Sequence, residues 1–267
     1  MDFKGKYGPG AVIAGAAEGL GEAWSRSLAR RGMDLLMVDR QEDKLHDLAR
    51  QLREEYGIKI SALCLDLAKP GAANAIMEEV QGSAYGLLVY NAAFSRIRPF
   101  LSLNSGELDA FIHTNTLTQL QLVNAFANYL AGRGSGGGLL LMSSLAGLIG
   151  MRLVAPYAAT KAFTWNLAEA ISHELKPHNI DVMACIAGAT ATPAYLQTQP
   201  TYGWLRPQVM EPERVAEVAL RKFGRKTLYI AGRWNRINYF ILTKILPRRF
   251  ASRIANNTMK RMYPGAG

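Results

Sequence analysis

The chain has 267 residues, 49% of them hydrophobic, enough to bury one large core in a single α/β domain spanning 1–267. No apolar run reaches the ~18 residues of a bilayer span, and the opening MDFKGKYGPG lacks the apolar stretch of a signal peptide, so a cytoplasmic protein is expected. The net charge of +10 is confined to one end, because twelve Lys and Arg and no acidic residue follow Glu217; a nucleic-acid-binding surface is not expected, since that segment carries no recognised binding motif.

Short apolar runs alternate with longer amphipathic stretches along the chain. Residues 11–15 read as a buried strand and 20–32 as a helix closed by Gly32. A second strand, 34–39, ends at Asp39, and a second helix, 42–57, is closed by Gly57. The stretches 59–67, 86–91 and 136–144 read as further strands, with a helix at 72–80 and a long helical region through 115–130. A helix over about 156–176 and a sixth strand at 179–188 follow, and the glycines of 134–138 read as a loop before a strand. Near-continuous apolar strands separated by helices predict a mostly parallel sheet with helices on both faces, a doubly wound α/β fold. Cys64 and Cys185 lie in apolar strand segments and read as buried thiols. With His46, His113, His173 and His178 scattered, neither a disulfide framework nor a metal site is expected.

Between the first strand and first helix, Gly15, Gly19 and Gly21 are spaced G-x3-G-x-G, enclosing Glu18 and Leu20. Glycine permits a tight turn and lets backbone approach a pyrophosphate seated at a helix N-terminus, so this loop points to a dinucleotide and a Rossmann fold. Asp39, at the end of the second strand, is placed to accept hydrogen bonds from an adenosine ribose. Asp39 and Glu18 would repel a 2′-phosphate, which favours NAD. Arg40 would attract one, which keeps NADP open, or is simply a solvated turn residue.

Tyr157 and Lys161 are four residues apart, on one helix face. A nearby ammonium favours the phenolate and draws a phenol pKa of about 10 toward the working range. The plain alternative is an apolar ring beside a solvated lysine.

Further residues occur in order: Asp66 after the third strand, Asn91 in YNAA, Asn115 in HTNTL, Ser144 thirteen residues before Tyr157, and AGATAT ending at Thr192. With the glycine loop and Tyr157–Lys161, these make the chain, over about 7–192, resemble the short-chain dehydrogenase/reductase family, in its single-domain branch of about 250 residues. Ala14, Ala93 and Ala187 replace that family's usual threonine, glycine and proline; they bear on the backbone geometry of the cofactor pocket and not on groups that carry protons. The segments YGPGAVIAG and LLVYNAAF are also similar to the sub-branch of 3-oxoacyl reductases and 17β-hydroxysteroid dehydrogenases, whose members often favour NADP. The resemblance implies an NAD(P)-dependent oxidoreductase that interconverts a ketone and a secondary alcohol and forms a homodimer or homotetramer. It implies Tyr157 as general acid and base and Lys161 as the group that lowers the phenol pKa and holds the nicotinamide ribose. Ser144 would donate to the substrate oxygen, and Asn115 would bind a water that links Lys161 to solvent. Asp66, Leu67, Asn91, Ala92, Gly188 and Thr192 complete the implied cofactor contacts; Thr192 could instead cap the segment that follows. His113 reads as packing or a surface hydrogen bond.

Residues 193–210 read as a loop or lid beside the nicotinamide. Its Tyr195, Leu196, Tyr202 and Trp204 suggest a hydrophobic substrate, either an acyl chain, for instance an acyl thioester, or a steroid-like ring; they could equally pack the loop onto the core. The basic amphipathic extension 233–262 could lie on an anionic membrane, attract an acidic carrier protein or a phosphate-bearing thioester, or pack on the domain or a dimer interface. A different class of reading makes the chain a non-catalytic dinucleotide sensor or a peripheral membrane-associated scaffold on the same fold.

Overall fold

Strand formation follows from apolar runs that can be buried on both faces. In the computed structural model, which describes residues 2–202 and 207–266, a short helix α1 (Phe3–Tyr7) leads into β1 (Gly10–Ala14), α2 (Leu20–Ala29), β2 (Asp34–Asp39) and α3 (Glu42–Tyr56). Then come β3 (Ile60–Cys64), α4 (Ala72–Val80), β4 (Tyr85–Tyr90), α5 (Ser105–Ile112) and α6 (Thr118–Arg133). The chain continues through β5 (Gly137–Ser144), α7 (Ala155–Leu175), β6 (Ile180–Ala187), the one-turn α8 (Pro193–Leu196), α9 (Pro212–Leu220) and β7 (Leu228–Ile230). It closes with α10 (Arg233–Phe240) and α11 (Arg248–Met262). All strands pair parallel in the order β3-β2-β1-β4-β5-β6-β7, so the doubly wound Rossmann expectation holds.

Alternation along the strands sends neighbouring side chains to opposite layers. Ile13, Met37, Val89 and Met142 pack with Trp24 and Leu28 of α2 and with Phe223, whereas Val12, Leu36, Leu88 and Leu141 pack with Ile76 of α4 and Phe126 of α6. The strand order reverses between β1 and β4, and connections leaving their C-terminal ends diverge to opposite faces there. The registers Ala14↔Tyr90, Val38↔Leu63 and Ser144↔Ala187 bring the C-terminal ends of the central strands to one edge of the sheet, from which the segments carrying Gly15, Arg40, Asn91 and Gly188 emerge.

Several expectations change. The helical region after β4 is two helices joined by a π-turn at His113–Leu117, and α5 opens on a capping box between Asn104 and Glu107. A seventh strand, β7, follows α9 and extends the sheet beyond the six strands read from sequence. Cys185 is buried as expected, but Cys64 is exposed, because it ends β3 on the open edge of the sheet. Trp204 lies outside the described residues, as does the centre of the expected 193–210 loop.

Candidate active site

The glycine loop is shaped by what each Cβ would meet. Gly15 has φ +81°, and a Cβ there would stand 2.7 Å from the Cα of Ala92. A Cβ on Gly19, at φ +60°, would sit 2.9 Å from a Thr192 side-chain carbon, and one on Gly21 would overlap the Gly15 carbonyl oxygen. The loop is tied down by the Gly15 and Ala16 amides, which donate to Val38 O at 2.8 and 3.1 Å, and by Asn91 Nδ2, which donates to Gly15 O at 2.8 Å. No side chain caps α2 at Gly19; the Gly21 amide donates to Glu18 O at 3.1 Å, and the positive dipole end of the helix is left to face an anion.

Asp39 is buried and braces this loop, its carboxylate accepting from the Ala17 amide at 3.0 Å and the Gln41 amide at 3.1 Å. Glu18 is ion-paired to Lys44 at 2.6 Å, a partner with no sequence signal, and Arg40 is exposed. Asp66 caps the Ala68 amide at 3.0 Å, and Leu67 O accepts from Thr118 at 2.8 Å, so both hold the turn after β3. The Asn91 and Ala92 amides donate to Ala14 O at 2.9 and 2.8 Å.

At the end of β5, two adjacent strand residues grip α7. Ser143 Oγ donates to Lys161 O at 2.7 Å, and Lys161 Nζ donates to Met142 O at 2.7 Å. Gly147 makes this approach possible, since a Cβ on it would lie 2.6 Å from the Lys161 carbonyl carbon. Lys161 is buried, and loss of solvation lowers its ammonium to about 8. Its Nζ stands 5.6 Å from the centre of the Tyr157 ring. The Tyr157 phenol is raised above its usual value of 10.0 by desolvation, with a hydrogen bond to the Ser144 hydroxyl pulling the other way. Burial dominates the direction of this shift, and the opposing influence is the Ser144 hydroxyl. Ser144 also accepts the Ala146 amide at 3.2 Å.

Asn115 lies in the π-turn, where its side chain is fully engaged. Its Oδ1 accepts from Phe94 N at 2.7 Å, and its Nδ2 donates to Phe94 O at 2.9 Å and to Thr160 Oγ1 at 3.0 Å. Thr160 in turn donates to Tyr157 O at 2.9 Å. Both amide donors of Asn115 are thereby committed, in a turn type that often marks functional sites.

Thr192 caps α8, accepting from Tyr195 N at 3.2 Å, the plainer of the two sequence readings. The Tyr195 and Tyr202 hydroxyls pair at 2.8 Å. The C-terminal chain, for which packing on the domain was one of the sequence readings, closes this side. Met259 and Tyr263 pack with Ile97, Met151, Leu153, Val154 and Tyr157, and Tyr263 OH hydrogen-bonds Thr198 at 3.0 Å. Asn256 fixes α11 there, accepting from Arg152 N at 2.7 Å and donating to Gly150 O at 3.1 Å. Behind Gly188, Asn235 of α10 approaches so closely that a Cβ on the glycine would meet its amide at 2.5 Å. His113 is half-buried in the π-turn.

The profile of the short chain dehydrogenase family matches residues 10–202. A 7β-hydroxysteroid dehydrogenase from Clostridium sardiniense is 31% identical over 236 residues, covering 88% of this chain and 90% of that protein. A very-long-chain 3-oxoacyl-CoA reductase from Neurospora crassa is 32% identical over 227 residues, 82% of this chain and 66% of the other. A solved 7β-hydroxysteroid dehydrogenase structure superposes with a TM-score of 0.87 at 27% identity, over 96% of this chain and 99% of its own. A short-chain dehydrogenase from Sphingobium yanoikuyae, solved with NADPH, gives 0.76 at 30% identity, over 86% and 92%. The chain belongs to the short chain dehydrogenase family and is an oxidoreductase that interconverts hydroxyl and keto groups with a nicotinamide dinucleotide.

Proposed function

We propose that the enzyme acts on a bulky hydrophobic ketone of steroid-like shape and its secondary alcohol, with Tyr157 moving the proton. The observation that carries this reading is that the Tyr157 ring sits in an apolar wall with Leu153, Val154, Met259 and Tyr263, while the Ser144 hydroxyl meets its phenol. Similarity to 7β-hydroxysteroid dehydrogenases over nearly the full length of both chains supports a ring system over an acyl thioester.

The cofactor cradle fits a dinucleotide: glycines stand where a Cβ would intrude, and the uncapped N-terminus of α2 is available for a pyrophosphate. Gly15, Glu18, Gly19, Leu20 and Gly21 would hold the phosphates, Asp39 and Arg40 the adenosine ribose, and Asp66, Leu67, Asn91 and Ala92 the flanking walls. Gly188 and Thr192 would bound the nicotinamide end. When bound, the dinucleotide supplies or accepts the hydride. Tyr157 donates its proton to the substrate oxygen during reduction and takes it back during oxidation. Ser144 orients the phenol and donates to the same oxygen as negative charge develops. Lys161, fixed by Met142 O, lies beneath the tyrosine ring and replenishes its proton. Asn115 holds Phe94, Thr160 and hence the Tyr157 turn in register.

NAD is the proposed cofactor. The Asp39 carboxylate, already braced toward the loop, retains acceptor capacity for ribose hydroxyls and repels a 2′-phosphate. Arg40 and Lys44 weigh on the other side. A homo-oligomer would pair through α5 and the start of α6, where Leu108, Ile112 and Leu120 are exposed. A cytoplasmic location would keep the exposed Cys64 thiol reduced.

Steady-state reduction with NADH and NADPH across ketosteroids, bulky aryl ketones and 3-oxoacyl thioesters tests the reading. The ketosteroids should give the highest kcat/KM, with NADH preferred. Preference for a 3-oxoacyl thioester would reject the substrate class, and preference for NADPH would reject the role given to Asp39.

A further inference from the structure

The C-terminal helices have a second face that the catalytic reading leaves unused. α11 turns Ala251 and Met259 inward, while Phe250 and Ile254 stand 42% and 46% exposed on its outer side beside the exposed Arg249 and Arg253. Along α10 and the π-turn that continues it, Trp234, Ile237, Ile241 and Ile245 recur at steps of three, four and four, which places them in one stripe. All four are exposed, from 39% to 61%. Single exposed apolar residues are ordinary, but a continuous stripe rimmed by cations is a contact surface.

The charge around this stripe is of one sign. No acidic residue follows Glu217, and among the described residues no cation from Arg221 onward is ion-paired to a carboxylate. A second copy of the chain is a poor occupant, because a two-fold contact would set these cations against themselves. Nucleic acid would satisfy the cations and leave the apolar stripe facing water. An anionic bilayer surface satisfies both: phosphates meet Arg and Lys, aliphatic side chains enter the acyl boundary, and Trp234 suits the headgroup level.

We propose that α10, its π-turn and α11 dock this enzyme on an anionic lipid surface. The inner side of α11 carries Met259, which packs in the wall beside Tyr157, so docking sets that wall against the phase into which an apolar substrate partitions.

Sedimentation of the full chain with phosphatidylcholine vesicles, and with vesicles containing equal phosphatidylglycerol, tests this. The anionic vesicles should bind at least about tenfold more tightly, and added salt should weaken the binding. Two double variants, Ile241→Ser with Ile245→Ser and Arg249→Glu with Arg253→Glu, should each lose about tenfold or more while keeping the melting temperature and NADH affinity. Equal binding to neutral and anionic vesicles would overturn the proposal, as would variants that bind like the parent. Self-association without lipid that the same substitutions abolish would also overturn it, identifying the face as an interface between copies.

Discussion

Burial draws the Lys161 ammonium down to about 8, because one hydrogen bond to Met142 O replaces less solvation than the position removes. The sign for stability follows from that direction. Below about pH 8 the folded chain carries a buried charge that the unfolded chain solvates better. Between about 8 and 10.5 the unfolded chain binds the extra proton, so stability rises with pH across that window. Lys161→Met should therefore abolish turnover yet stabilise the fold by about 1–3 kcal/mol at neutral pH, with the gain shrinking toward pH 10.5. Urea unfolding across that range checks it, and a variant less stable than the parent at pH 7 would contradict it. Ser144, Tyr157 and Lys161 were readable in the sequence because their spacing along one strand and one helix is fixed. Lys44, Gly147, Asn256 and Tyr263 were not, since they reach the site by tertiary approach and leave no periodic trace. The direction of the Tyr157 shift was also hidden, because spacing reports a neighbour but not how deeply both groups are buried.

The π-turn between α5 and α6 shows how an element positions chemistry without supplying it. Its Asn115 makes three hydrogen bonds, joining the segment after β4 to α7 through Phe94 and Thr160. Asn115→Ala leaves the Phe94 amide and carbonyl without these partners and should cost about 2–4 kcal/mol. If its role is positioning, kcat should fall while NADH affinity holds. Unfolding curves with stopped-flow dinucleotide binding separate these effects, and unchanged kcat would remove the role. The sequence marked Asn115 but not the turn, because a π-turn interrupts helical periodicity by a single residue. The strand β7 was missed for a related reason: three residues give no alternation to read, and pairing with β6 makes it a strand.

Across the whole molecule, the turn after α2 is joined to α9 by the paired hydrogen bonds of Arg31 to Glu217 at 3.0 and 2.7 Å, which hold the Glu217 carboxyl down to about 2. A depressed carboxylate stabilises the fold above its unfolded value of 4.5 and loses that contribution as pH falls toward 2. Glu217→Gln should cost about 1–2 kcal/mol near neutral pH, after allowance for solvent screening, and match the parent near pH 2. Thermal melts over that range measure it; a difference independent of pH would exclude the ion pair as its source. The parallel pairing of the central strands was legible from alternating runs, whereas the packing of α11 into the apolar wall beside Tyr157 depends on contacts between segments over a hundred residues apart. The central claim is that this fold brings Tyr157 to the reacting oxygen as its proton carrier. Turnover of a bulky ketone by Tyr157→Phe, measured beside its NADH affinity, tests that most directly. A loss of at least about 10²-fold in kcat with NADH binding preserved is the result the account predicts, and near-parental turnover would contradict it.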